Sequence, residues 1–450
     1  MIGRRPLLKG LGAWSASTGL GALGAPVGLT GLGTVGGIGA GLALSPDMAG
    51  AQTLSDAPLR FPRDHGAHPE TRIEWWYLTG VLRAPSETAE AARSNAATPL
   101  PPPTHGFQLT FFRLRNDLAR PLDSAFAPGQ LMLAHAAISD LGRQRLLHDQ
   151  RVLRHGFANA RTELGDTAVR LGDWQLRRSD AGEGRSRYDL VMHSEVAGFA
   201  LSLSLRAPLP PLLQGREGWS RKGPGPEQAS RYVSEPQLAG TGRLALRDGG
   251  TREVAARAWL DHEWSNDLLG RGAGDDTMRR PASKPVGGLP ATSGASTGSG
   301  LSAGTGPSAA SGTAAAAAHA GWDWLGLNLD DGSALTLFQV RGDDGTAAWT
   351  GGSWRGADGR QADFEQQLRF EPLAHWRSPV SLATYPVRWR VRTPRGVILV
   401  EAAFQAQEID ARRSTGFPYW EGAARVSDEA GRPLGWGYLE MTGYAGRVPL

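Results

Sequence analysis

The hexapeptide Trp259-Leu260-Asp261-His262-Glu263-Trp264 sets two carboxylates and an imidazole between two indoles. Such groups could relay protons, hold a metal ion or give a proton to an apolar ligand. The segment ends an alternating pattern, and a strand turns successive side chains to opposite faces. Trp259, Asp261 and Glu263 therefore share one face, and Leu260, His262 and Trp264 the other. The imidazole and the acids do not meet while the chain stays extended, which speaks against a His–Asp relay or a metal triad within the hexapeptide unless a bulge intervenes. What remains is a pair of acids two residues apart, about 6 to 7 Å between their origins, beside an aromatic ring. When such acids are buried their pKa values separate, so that one stays protonated near neutral pH. Against an aromatic wall that favours the ensuing cation, this acid can protonate an alkene or a leaving group. Asp261 is the expected general acid, with Trp259 and Glu263 as its close partners.

A second stretch, His68 to Gly80, reads HPETRIEWWYLTG. Alternation puts Glu74, Trp76 and Leu78 on one face and Trp75, Tyr77 and Thr79 on the other. A carboxylate on an inward face is costly unless paired or used. Either Glu74 pairs with an arginine at a barrel mouth, or it faces a ligand. Glu74, Trp75, Trp76 and Tyr77, together with His262, are the candidate ligand-binding residues. Other chemistries find less support. The sequence has no Gly-x-Ser-x-Gly elbow and no His-Glu-x-x-His. It has no cysteine, which removes disulfides, thiolate catalysis and cysteine-bound metals. His68, His105, His135 and His193 lie in or beside strand-like segments and could converge, but no metal site and no cofactor is expected.

The elements that must position these residues are short alternating segments bounded by Gly, Pro, Asp and Asn, with hardly any helical periodicity. FQLTFFRLR (107–115), YDLVMHSEV (188–196), FALSLSLRA (199–207), ALTLFQVR (334–341), VRWRVRT (387–393) and VILVEAAF (397–404) all read as strands. Ahead of them, Arg4-Arg5 and a Gly-rich apolar run to Leu44 read as a twin-arginine export signal over residues 1–52, with small residues at Ala49 to Ala51 for cleavage. A periplasmic or secreted protein without a lasting membrane anchor is the expectation. The formal charge of +4 carries no basic run, so no nucleic-acid partner is expected.

Two stretches are too poor in apolar residues to fold. Residues 84–104 form a Pro/Ala insertion, and residues 269–320 a Gly/Ser/Ala-rich linker. On either side of the linker the sequence repeats weakly. EWWYLTGVL leads to LTFFRLR, and WDWLGLNL leads to LTLFQVR. Trp259-Leu260-Asp261 also corresponds to Tyr438-Leu439-Glu440. An all-β fold is expected, with two related antiparallel barrels over 54–268 and 321–450, closed so that no edge is exposed. A pair of open sandwiches is the competing architecture. The second acid and the histidine of the hexapeptide have no counterpart in the repeat, where Thr442 and Met441 stand. A single active site is therefore expected in the first barrel.

The chain resembles the AttH/carotenoid 1,2-hydratase-like family of secreted bacterial proteins. The resemblance rests on HPETRIEWWYLTG (68–80), AWLDHEWS (258–265), GWDWLGLNLDDG (321–332), YPVRWRV (385–391), YWEGAARVS (419–427) and GWGYLEMTGY (435–444). It implies two consecutive lipocalin/calycin-like β-barrels. It also implies cofactor-free hydration of an isoprenoid double bond, with a proton donor falling on Asp261 and an aromatic partner on Trp259, and with Trp75 and Trp76 lining the cavity. The export signal and the DHEW and GWDW motifs resemble the AttH branch rather than the pigment-pathway hydratases. The leading expectation is an exported, cofactor-independent hydratase or hydrolase acting on a small hydrophobic, lipid or isoprenoid-like ligand. The alternative is a non-catalytic periplasmic carrier of apolar ligands. A purely structural reading makes the hexapeptide a joint between barrels, with Asp261 and His262 pairing across it.

Overall fold

The structure, a computed structural model, describes residues 54–85, 101–116, 129–266, 319–446 and 448. The expected signal, nearly all of the linker and most of the 84–104 insertion lie outside the described residues. Among the described residues the only helix is a 3-10 turn at Arg63–His65; the rest is antiparallel sheet and turns. The chain is all-β, as its alternation predicts. No helix among the described residues is long and apolar enough to cross a membrane.

Two sheets share the chain. The first has thirteen strands between Ile73 and Ser265, the second ten between His319 and Met441. At the heart of the first, the Ile73–Arg83 strand pairs on one side with His105–Arg115 and on the other with Gly250–Ser265. At the heart of the second, His319–Leu329 pairs in the same way with Ala334–Gly342 and Pro433–Met441. The weak repeat is thus a repeat of topology: Tyr77 lies opposite Asp261, and Trp324 lies opposite Glu440.

The first path runs from an edge at Arg145–Arg154 to an edge at the two-residue Arg161–Thr162 strand. The second runs from Gln361–Asp363 to Arg369–Arg377. Neither path pairs its two ends, so each sheet curls into a half-barrel and stops short of a ring.

Each curled sheet buries its own apolar core. Trp76, Phe107, Phe111, Trp174 and Leu205 lie in the first, and Leu325, Tyr385, Trp389 and Trp420 in the second. A third cluster belongs to both. Tyr77, Val81 and Trp259 of the first sheet pack against Trp324, Phe338, Ala423 and Tyr438 of the second. Two glycines let the sheets approach this closely. A side chain at Gly326 would run into the indoles of Trp324 and Trp259, and one at Gly106 into Ala423 and the hydroxyl of Tyr438.

Candidate functional site: a carboxyl-lined aromatic cavity between the sheets

Parity along two neighbouring strands decides what the site is made of. Trp75, Tyr77, Asp261 and Glu263 point out of the first sheet toward the second. Glu74, Trp76 and His262 point into the first sheet's own interior. The outward set lines a cavity of about 410 Å³ whose far wall is the second sheet, with Trp322, Trp324, Phe338, Tyr419, Glu421 and Glu440. The site expected in the first barrel is therefore shared. The acid face of the Gly250–Ser265 strand turns away from its own lumen, and the second sheet covers it.

Asp261 is 2% exposed. Its Oδ1 accepts hydrogen bonds from Ser234 Oγ at 2.5 Å and from Trp259 Nε1 at 2.7 Å, and its Oδ2 accepts one from Tyr232 Oη at 2.7 Å. Tyr232 in turn accepts a hydrogen bond from Trp324 Nε1 at 2.9 Å, which ties the acid to the second sheet. Burial pushes the Asp261 carboxyl up to about 7; the three donors pull it down and the nearby Glu263 raises it further. Glu263 accepts from Ser230 Oγ and ion-pairs with Lys222 Nζ at 2.9 Å. The Lys222 ammonium also lies over the rings of Tyr232 and Phe338, at 4.5 and 4.2 Å from their centroids.

The facing wall adds two acids that lie cross-strand from one another, Glu421 and Glu440. Glu440, partly open to the cavity, accepts a hydrogen bond from Trp322 Nε1 at 3.1 Å. Burial pushes it up to about 8, and the charges of Asp261, Glu263 and Asp323 add to the rise. Glu421 is buried beside the hydroxyls of Tyr77 and Tyr419, and burial and then Glu440 raise it well above the usual carboxylate range against the pull of those hydroxyls. Its Oε1 has no hydrogen-bond partner. Four carboxyl groups thus face one cavity with a single lysine between them, and three of the four are held toward their neutral forms.

The inner face is the opposite case. Glu74 Oε1 meets His68 Nδ1 at 2.8 Å and His262 Nε2 at 2.9 Å, while Oε2 accepts from Arg113 Nε at 2.8 Å. Hydrogen bonds from His262 and His68 outweigh the upward push of burial and hold this carboxyl below its usual range. His68 stacks on Trp264, its ring centroid 3.7 Å away, and Trp76 stacks on His262. His68, Glu74 and His262 are also a set whose ligand atoms are close enough to hold a metal ion. Those atoms already hydrogen-bond to one another, and a dication there would adjoin the buried Arg113 guanidinium. Of the candidate ligand-binding residues, Trp75 and Tyr77 line the cavity. Glu74, Trp76 and His262 do not, because they stand on the other side of the same sheet. Trp259 reaches the site through its N–H to Asp261 and packs in the shared cluster. Asp261 and His262 do not pair across the joint.

The strand-borne histidines do not converge. His68 belongs to the Glu74 cluster, His135 lies beneath Tyr419, His193 pairs with Asp173 and His105 bonds to Thr104. Lys222, Tyr419, Glu421 and Glu440, which line the cavity, and Tyr232, which bonds to Asp261, were not among the candidates. One signal was available for Glu421. The hairpin around the Gly431 turn brings its strand beside that of Glu440, the acid of the repeated triplet, and a bulge between Val426 and Ser427 shifts the register by one so that Glu421 rather than Trp420 stands opposite.

The comparisons with known proteins agree with this architecture. A crystal structure from Nitrosomonas europaea assigned to AttH is similar over 87% of this chain and 98% of its own, with 38% identity and a TM-score of 0.67. Kievitone hydratase from Nectria haematococca covers 85% of this chain and 92% of its own, at 13% identity and a TM-score of 0.50, a likeness of fold alone. No curated protein sequence matches the chain. The AttH-like family profile matches residues 52–276 and 310–444, and together with the 38% identity this shows that the chain belongs to the AttH-like family.

Proposed function

We propose that the protein is a cofactor-independent enzyme of the hydratase or hydrolase type. Its substrate is a hydrophobic, lipid or isoprenoid-like molecule held between the two sheets. The observation that carries this reading is a buried acid, Asp261, raised to about 7 and set in the wall of an aromatic cavity. A carboxyl half-protonated near neutral pH is matched to general-acid work. In a hydration, the Asp261 proton goes to the less substituted alkene carbon and leaves a tertiary cation. The faces of Trp75, Trp322 and Trp324 stabilise that charge without supplying a nucleophile. Water then adds to the cation and surrenders one proton to a carboxylate, so the balance is one water gained. Glu263, ion-paired with Lys222, stands beside the acid. Kievitone hydratase is by its name a hydratase, and the reading takes from it only that this fold can house such chemistry. The Arg4-Arg5 export pattern supports an activity outside the cytoplasm.

The test is incubation of the full chain with an acyclic isoprenoid such as farnesol in ¹⁸O-water, with the product read by mass spectrometry. Labelled alcohol is expected from the wild type, and Asp261→Asn is expected to lower its rate by ~10² to 10⁴-fold. Unchanged turnover in Asp261→Asn removes the role of this acid. A second reading, an apolar-ligand carrier, is favoured by the full hydrogen bonding of Asp261, both of whose oxygens are taken by neighbouring donors. Recovery of a tightly held, unlabelled lipid and no labelled product decides for the carrier.

A further inference from the structure

We propose that Tyr419, His135 and Ser414 form a proton relay joining the cavity carboxyl of Glu421 to the protein surface. The proposal rests on the proton-transfer reading above and adds a route for the Glu421 proton along the cavity wall, which Tyr419, His135 and Ser414 all line, to the partly exposed turn that carries Ser414. The chain of contacts crosses from one sheet to the other. Tyr419, beside Glu421, lies 2.7 Å from His135 Nδ1, and His135 Nε2 lies 2.8 Å from Ser414 Oγ. His135 comes from the Gln130–Asp140 strand of the first sheet, whereas Ser414 lies in the turn that precedes the Tyr419–Asp428 strand of the second.

The direction of every hydrogen follows from one fixed point. Gln150 Nε2 donates to the carbonyl of Asp410 at 2.7 Å, so its Oε1 is the atom 2.6 Å from Ser414 Oγ. An amide oxygen carries no hydrogen, and the bond must be made with the serine's own. The hydrogen between Ser414 and His135 therefore belongs to Nε2. Burial drives this imidazole down to about 3, with His148 adding to the fall, so the ring is neutral and Nδ1 is bare. Tyr419 must then donate to Nδ1, which leaves its oxygen to accept from Gln108 Nε2 at 3.2 Å and, through its second lone pair, from the Glu421 carboxyl beside it. This arrangement also argues against a serine nucleophile, since Ser414 directs its hydrogen away from the imidazole.

A proton released in the cavity is taken by Glu421 Oε1, which has no partner. The carboxyl hydrogen passes to Tyr419, the phenol hydrogen to His135 Nδ1 and the Nε2 hydrogen to Ser414. The serine hydroxyl, in a partly exposed turn, swings its hydrogen from Gln150 Oε1 to water and releases it there. One proton enters and one leaves, and only O–H and N–H bonds change. The same hops in reverse return a proton to the carboxyl.

The first test is ¹⁵N NMR of the full chain labelled at histidine. His135 is expected to be neutral at ~pH 7, with its hydrogen on Nε2 and a hydrogen-bonded, bare Nδ1. A hydrogen on Nδ1 or a cationic ring overturns the relay, whether or not the protein turns over any substrate. The second is hydration of farnesol by His135→Phe and Tyr419→Phe, each checked for folding by circular dichroism. At least ~10-fold loss in kcat is expected, with KM changed by less than ~2-fold. Wild-type kcat in both folded variants overturns the relay. A wild type that hydrates no alkene counts against the proposed function, and the tautomer alone then decides the relay.

Discussion

The two faces of one pair of strands handle buried carboxylates in opposite ways. On the inner face Glu74 and His262 pair across the strands with Trp264 and Trp76, and on the outer face Trp75 and Tyr77 pair with Glu263 and Asp261. Yet Glu74 has a guanidinium and two imidazoles within hydrogen-bond reach, while the cavity's four carboxyls share one lysine. Burial alone does not decide the charge of an acid. Glu74 and Asp261 are equally desolvated, and the partners decide. Glu74 has a guanidinium and two imidazoles for partners, and Asp261 has three neutral donors.

The contrast breaks most sharply at Glu74. Glu74→Ala leaves the fully buried Arg113 without its counter-charge and is expected to cost about 3 to 5 kcal/mol in urea unfolding. A loss below about 1 kcal/mol would mean that this cluster is not charged in the folded protein. A smaller effect sharpens the contrast through pH. Glu74, depressed in the fold, contributes stability above the ordinary carboxylate range and loses it as pH falls. Asp261 and Glu440, raised to about 7 and about 8, bind protons in the fold that the unfolded chain has already released, so stability is lost as pH rises from about 4 through those values. Glu440→Gln is expected to raise the melting temperature by ~2 to 4 °C at ~pH 8.5 and to leave it unchanged at ~pH 4. Equal shifts at both values would show that the cavity acids are ionised throughout. Smallest is Trp324→Phe, which removes the N–H that reaches Tyr232 and through it Asp261. About 0.5 to 1.5 kcal/mol is expected, read as a shift in the urea midpoint.

Much of this was legible in the sequence because a strand has a period of two. Alternation alone separated Asp261 and Glu263 from His262, and Glu74 from Tyr77, and the repeat of an aromatic–Leu–acid triplet foretold two sheets of like topology. What alternation does not reveal is what covers a face. The outer face of the first sheet read as the wall of a private lumen, and it is the floor of a cavity roofed by Trp322, Trp324 and Glu440. Residues brought in by long-range pairing were equally invisible. Tyr232 meets Asp261 across 29 positions and His135 meets Tyr419 across 284. Such contacts follow from strand order, which one sequence does not state. Glu421 shares a hairpin with Glu440, but the bulge that sets their register is not written in the sequence.

The unclosed ends of the two sheets bear on how this fold resists edge-to-edge pairing with other chains. A half-barrel has free strand edges, and an exposed flat edge is a template for another chain. Each of the four edges is spoiled in its own manner. Arg145–Arg154 carries Arg145, Arg151 and Arg154 along its length, and Arg161–Thr162 is two residues long. Gln361–Asp363 offers three residues. Arg369–Arg377 includes Pro372, which lacks a donor, and slips register twice against its neighbour. Leaving the barrels open gave up the protection of a ring, and charge, brevity, proline and bulges stand against intermolecular β-aggregation in its place.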